Sequence, residues 1–134
     1  MIKIKIVYIL IHSIILFGSG HGIGFLILTD IIFVSEFLDS SFHFNYTNSS
    51  NQILSTIGFF SLTGKILIIF SLSKFNQFIK SLLSLIGIII LMYSVYLLWT
   101  YTSFVGMLKI SVLIIVVFYL ISIGIAYKEL KYIK

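Results

Sequence analysis

The sequence predicts an all-α integral membrane protein: four transmembrane helices in an up-down-up-down antiparallel bundle. Three observations lead there. Of 134 residues, 60% are hydrophobic and 10% are charged, with a mean hydropathy of +1.19. Ordinary soluble domains are about 45–50% apolar and about 25% charged. The apolar residues gather into runs near the ~20 residues that cross ~30 Å of hydrocarbon. Runs such as Leu85-Ile86-Gly87-Ile88-Ile89-Ile90-Leu91 are apolar on every side, whereas a membrane barrel strand alternates with period two.

Composition removes several classes. The hydrophobicity excludes a disordered chain. The chain has no Cys, which excludes disulfides, thiolate metal sites and Cys nucleophiles. It has no Pro, so no helix is kinked by one. All nine basic residues are Lys, and the net charge is +5. They cluster at helix ends, so membrane orientation explains them rather than nucleic acid.

The first expected span runs from Ile6 to Leu28. A cleaved signal peptide is the competing reading, with Lys3 and Lys5 as its basic start and Gly18-Ser19-Gly20 as small residues for cleavage. The apolar run resumes at Gly22, so cleavage would leave a remnant too short to cross. Residues 29–52 form the expected outer loop. Its first part, Ile31 to Leu38, is apolar with one acid and suits a short interfacial helix. Its second part is rich in Ser, Asn and Thr, and Asn45-Tyr46-Thr47 and Asn48-Ser49-Ser50 fit the weak glycosylation pattern.

The second span, Ile53 to Ser73, is interrupted by Lys65. Its Ser55, Thr56, Ser61, Thr63 and Ser71 suit hydrogen bonds between helices. The third span, Leu82 to about Tyr101, is mostly Ile and Leu and is expected to face lipid more than the first two. The fourth runs from about Ile110 to Tyr127. Together the spans make one membrane domain over residues 1–134. Seven of nine lysines fall on one side of this topology. By the positive-inside rule both termini then face the cytoplasm, in a bacterial inner membrane.

The residues with chemical potential are few. Gly18, Gly20, Gly22 and Gly24 form two overlapping pairs at helical spacing, expected to let another helix approach closely. His21 sits among them, and a haem ligated by it is the sharper alternative; a second histidine on another span is missing. His12 lies about 9 Å above the inner end of the first span, and Lys65 roughly 12 Å above that of the second. The two share a layer if those helices are neighbours. Neutral His12 and Ser61 are then candidate partners for the lysine, and no acid of this chain lies at its depth. Snorkelling to lipid phosphate and an acid on a partner subunit are the other readings. His43 is expected at the interface. No metal site is expected, and no cofactor is assigned.

No complete catalytic set is present. The leading expectation is therefore a non-catalytic accessory or scaffolding subunit of a larger inner-membrane complex, respiratory or secretory, in contact with lipid and other membrane subunits. The alternatives are a small homo-oligomeric transporter or proton-coupled carrier using Lys65, and a haem- or quinone-binding protein centred on His21.

Overall fold

A computed structural model describes residues 2–19, 22–44, 52–101 and 109–133. Among these it holds five helices and one hairpin: α1 (Ile2–Ser13), β1 (Leu16–Ser19), β2 (Gly22–Phe25), α2 (Leu26–Leu38), α3 (Gln52–Phe70), α4 (Gln77–Tyr101) and α5 (Lys109–Leu130). Three helices are long and apolar enough to cross a membrane, over Ile53–Phe70, Gln77–Thr100 and Ser111–Leu130.

The continuous helix expected over residues 6–28 does not form. α1 stops at Ser13, and the chain enters an antiparallel hairpin in which Leu16 faces Phe25, Phe17 faces Gly24, Gly18 faces Ile23 and Ser19 faces Gly22. Four glycines at every second position, 18 to 24, explain the break. Glycine costs about 1 kcal/mol against alanine in a helix interior, and four in seven residues remove the case for continuing. A hairpin gives the bare positions a use. The Phe17 ring lies over Gly24, where an added Cβ would stand 2.9 Å from the ring. Gly18, Gly22 and Gly24 therefore lie on strands, and the helical four-residue spacing expected to make them a packing face is not present. Gly20 and His21 lie outside the described residues.

The hairpin returns the chain to its starting point. The Leu26 amide donates to the Ile15 carbonyl at 2.8 Å, and α2 begins there. The segment Ile31 to Leu38, expected as a separate interfacial helix, is the second half of α2. α2 ends where Ser40 takes a positive φ of 54°. The glycosylation-pattern residues of the loop lie outside the described residues.

Close helix contacts come from glycines elsewhere. A Cβ on Gly58 would lie 1.9 Å from the Thr29 carbonyl oxygen, so α2 and α3 meet backbone to backbone. Gly64 and Gly87 do the same for α3 and α4: a Cβ on either would fall within 3.0 Å of the other's carbonyl oxygen. Small residues permit such approach between membrane helices. α5 packs on α1 through Tyr8 and Phe118, stacked at 4.7 Å, and on α4 through the Tyr119 hydroxyl, which donates to the Met92 carbonyl at 3.1 Å. α5, not α4, shows the most surface: 28% of its span is buried, against 50% for α4 and 56% for α3.

The two ends of the bundle differ. At one end Lys5 reaches both Ser71 after α3 and Glu129 near the end of α5, so the lysine-bearing ends of the elements gather there. At the other, Phe33, Phe42, Phe44, Phe59, Phe60 and Tyr93 form a chain of ring contacts between 4.9 and 6.4 Å that joins α2, α3 and α4.

Candidate functional site

α1 carries Lys5, Tyr8 and His12 at i, i+3 and i+7, one face of a helix. All three are buried, while Ile2, Ile6, Val7 and Leu10 on the other sides stay exposed. Each buried group meets a serine on or beside a different long helix. Lys5 donates to Ser71 at 3.1 Å, Tyr8 pairs with Ser122 at 2.8 Å, and His12 Nε2 pairs with Ser94 at 2.9 Å. Each serine also donates to a carbonyl three or four residues earlier: Ser71 to Ile68, Ser94 to Leu91 and Ser122 to Phe118. A hydroxyl has one proton. The serines have spent theirs, so the α1 groups are the donors. His12 is thus protonated on Nε2 when neutral, and its Nδ1 keeps a bare lone pair. That nitrogen is buried and has no hydrogen-bond partner among the described residues.

This ladder predicts unequal mutational costs. Ser94→Ala takes away the hydroxyl that accepts from His12 and leaves its ring only the Leu91 carbonyl, which costs about 1–2 kcal/mol. Tyr8→Phe removes the donor, while Ser122 keeps its bond to Phe118, so the loss is expected to be about 1 kcal/mol or less. Thermal unfolding of both variants in one detergent checks the order. Equal losses would mean that Ser94 is not the acceptor of His12.

Lys65 is the second centre. Its ammonium pairs with Asp30 Oδ2 at 2.5 Å, and both side chains are about nine-tenths buried. The expectation that no acid of this chain reaches the depth of Lys65 is corrected. A continuous helix would carry Asp30 about 27 Å beyond His12 at ~1.5 Å per residue. The hairpin instead consumes the intervening residues without net advance, and Asp30 follows Leu26 by one turn. The pairings expected for Lys65 differ accordingly. His12 gives Nε2 to Ser94, and Ser61 Oγ is buried without a hydrogen bond among the described residues. The second oxygen of Asp30, Oδ1, is buried and unbonded among the described residues.

A second ion pair holds the lysine end, with Lys5 Nζ 2.7 Å from Glu129 Oε1 and both side chains buried. Lys5, Ser71, Leu72, Gln77, Lys80 and Glu129 line a small pocket there, about 140 Å³ in volume. Two opposite charges taken out of water are tolerated when paired, and breaking such a pair is costly. Lys5–Glu129 therefore fixes α1 to α5, and Lys65–Asp30 fixes α2 to α3. The two half-length helices on either side of the hairpin have separate anchors.

Sequence reasoning singled out Lys65 and His12 and missed Asp30 as a partner, Lys5, Tyr8 and Glu129. A usable signal existed in the spacing of Lys5, Tyr8 and His12 together with Ser94 and Ser122 inside otherwise apolar spans. His43 is exposed, and among the described residues no three His, Cys, Asp or Glu side chains gather as a metal site would need. No family model matches the chain, no curated protein matches it, and no solved structure matches it.

Proposed function

We propose that the chain is a small membrane transporter that carries protons, with the Asp30–Lys65 pair as its working centre. On this reading it crosses the bilayer four times: α3, α4 and α5 are three crossings, and α1, the hairpin and α2 together make a broken fourth. The lysine end faces the cytoplasm of a bacterial cell, as the positive-inside rule directs. The observation that carries the proposal is an ion pair at the break in a helix. Non-helical backbone inside a membrane is tolerated where protein covers it, and carriers use discontinuous helices to build ion and substrate sites. Ionisable groups inside membrane segments are costly and mark ion pathways by default.

The geometry suggests a cycle. A proton taken by Asp30, at its unbonded Oδ1, cancels the charge that holds Lys65. α2 then loses its electrostatic hold on α3 and moves about the hairpin, while α1 stays fixed by Glu129 and its serines. Loss of the proton restores the pair.

The test is proton flux in liposomes containing an internal pH dye, driven by a potassium diffusion potential. The protein is expected to carry flux above empty liposomes, and Asp30→Asn to lose at least nine-tenths of it. Glu36→Gln, outside the proposed centre, should keep it. No flux from the unaltered protein, or full flux from Asp30→Asn, would overturn the proposal. A separate observation supports the accessory-subunit alternative: Leu113, Val116, Leu120, Ile123 and Tyr127 leave one side of α5 exposed, a face another membrane subunit would cover. Extraction in mild detergent decides it, since a subunit brings partners in fixed ratio and a carrier runs alone or as a homo-oligomer.

A further inference from the structure

A second feature lies outside the polar centre. Between α1 and α5, towards the lysine end, a groove of about 210 Å³ is lined by Ile4, Ile121, Gly124, Ile125 and Lys128. Four of the five are apolar or bare, and the fifth is a cation. Gly124 makes the groove: a Cβ built there meets no atom within 4 Å. Ile121, Gly124, Ile125 and Lys128 follow one another at helical spacing along a face of α5. The slot therefore runs with the helix axis for about 10 Å, at ~1.5 Å per residue, and ends at Lys128. The groove is open at Gly124 and its floor is apolar, which suits a row of methylenes.

The charge around the mouth narrows the occupant. The chain has four acidic residues. Asp30, Glu36 and Asp39 lie on α2 or at its end, and Glu129 is buried against Lys5. Lys3, Lys74, Lys80, Lys128 and Lys131 thus have no ion-pair partner among the described residues. Lys131 lies 5.1 Å over the Tyr127 ring, an aromatic–cation pairing suited to the level of lipid headgroups. A mouth with cations and no free acid attracts an anion.

We propose that this groove seats one acyl chain of an anionic phospholipid, with the lipid phosphate on Lys128. The site is independent of the carrier proposal and stands whether or not protons move through Asp30. Its test is native mass spectrometry of the full chain, released from nanodiscs made of equal parts phosphatidylglycerol and phosphatidylcholine. One phosphatidylglycerol is expected to remain on each chain. Gly124→Leu projects into open space, so the fold should survive, as a thermal melt will check, and lipid retention should fall at least tenfold. Lys128→Gln should keep a lipid but lose the preference for phosphatidylglycerol. Equal retention by Gly124→Leu, equal retention of the two lipids by the unaltered protein, or a protein dimer in place of lipid that Gly124→Leu dissolves would each overturn the proposal.

Discussion

Lys65→Met is expected to destabilise the protein by about 3–5 kcal/mol, the usual cost of removing one partner from a buried ion pair. The methionine fits the lysine's path, so little packing is lost. The loss comes from Asp30, left as a buried carboxylate whose Oδ1 already lacks a hydrogen bond among the described residues. Asp30→Asn is expected to cost a similar amount, because it leaves the Lys65 ammonium without a charge partner. The double variant should recover most of the loss, since neither unpaired charge then remains. A double-mutant cycle from thermal or chemical unfolding in detergent gives the coupling directly. Additive losses would mean that the two residues do not act as a pair. This test is separate from proton flux: a stable, silent double variant is the result expected if the pair both holds α2 and performs the coupling.

Gly58→Ala is the second large effect. The added methyl would stand 1.9 Å from the Thr29 carbonyl oxygen and 2.5 Å from its carbon. Both are backbone atoms of α2, so no side chain can turn aside and the helices must part. Overpacking commonly costs 1–3 kcal/mol and occasionally more, and a backbone clash belongs at the upper end, about 3 kcal/mol. Separation would also strain the Asp30–Lys65 pair and the Phe33–Phe59 contact, whose rings are 5.4 Å apart. The chain has no Cys, so cysteines placed at positions 33 and 59 give a clean cross-linking readout. Cross-linking should be efficient while Gly58 is kept and at least fivefold slower once Gly58→Ala is added. An unchanged rate and melting point would show that α2 does not lie so close.

These expectations separate what is legible along the chain from what is not. The three long apolar helices are legible because hydropathy is a sum over neighbours in sequence, and α3, α4 and α5 lie within a few residues of the expected second, third and fourth spans. The first span fails on the same rule. Residues 16–25 hold Leu16, Phe17, Ile23 and Phe25 among four glycines, and a hydropathy sum that runs on into the apolar stretches on both sides does not distinguish a glycine-rich hairpin from a helical turn. The period-two placement of Gly18, Gly20, Gly22 and Gly24 is visible in the sequence, but the same four positions also satisfy a helical four-residue spacing. The glycines that do bring helices together, Gly58, Gly64 and Gly87, lie singly in long apolar runs, and only their facing partners give them meaning.

The sequence by itself determined the hydrophobic class, the three long helices, the gathering of lysines towards one end and the position of Lys65 inside an apolar run, because each follows from composition and position along one helix. Tertiary structure decided the partner of Lys65, the three-serine anchoring of α1 and the contact glycines. An ion pair depends on the relative depth of two segments. The hairpin reset that depth by returning the chain from Phe25 to Ile15, and a hydrogen bond between residues eleven apart, Leu26 to Ile15, placed Asp30 where linear counting did not.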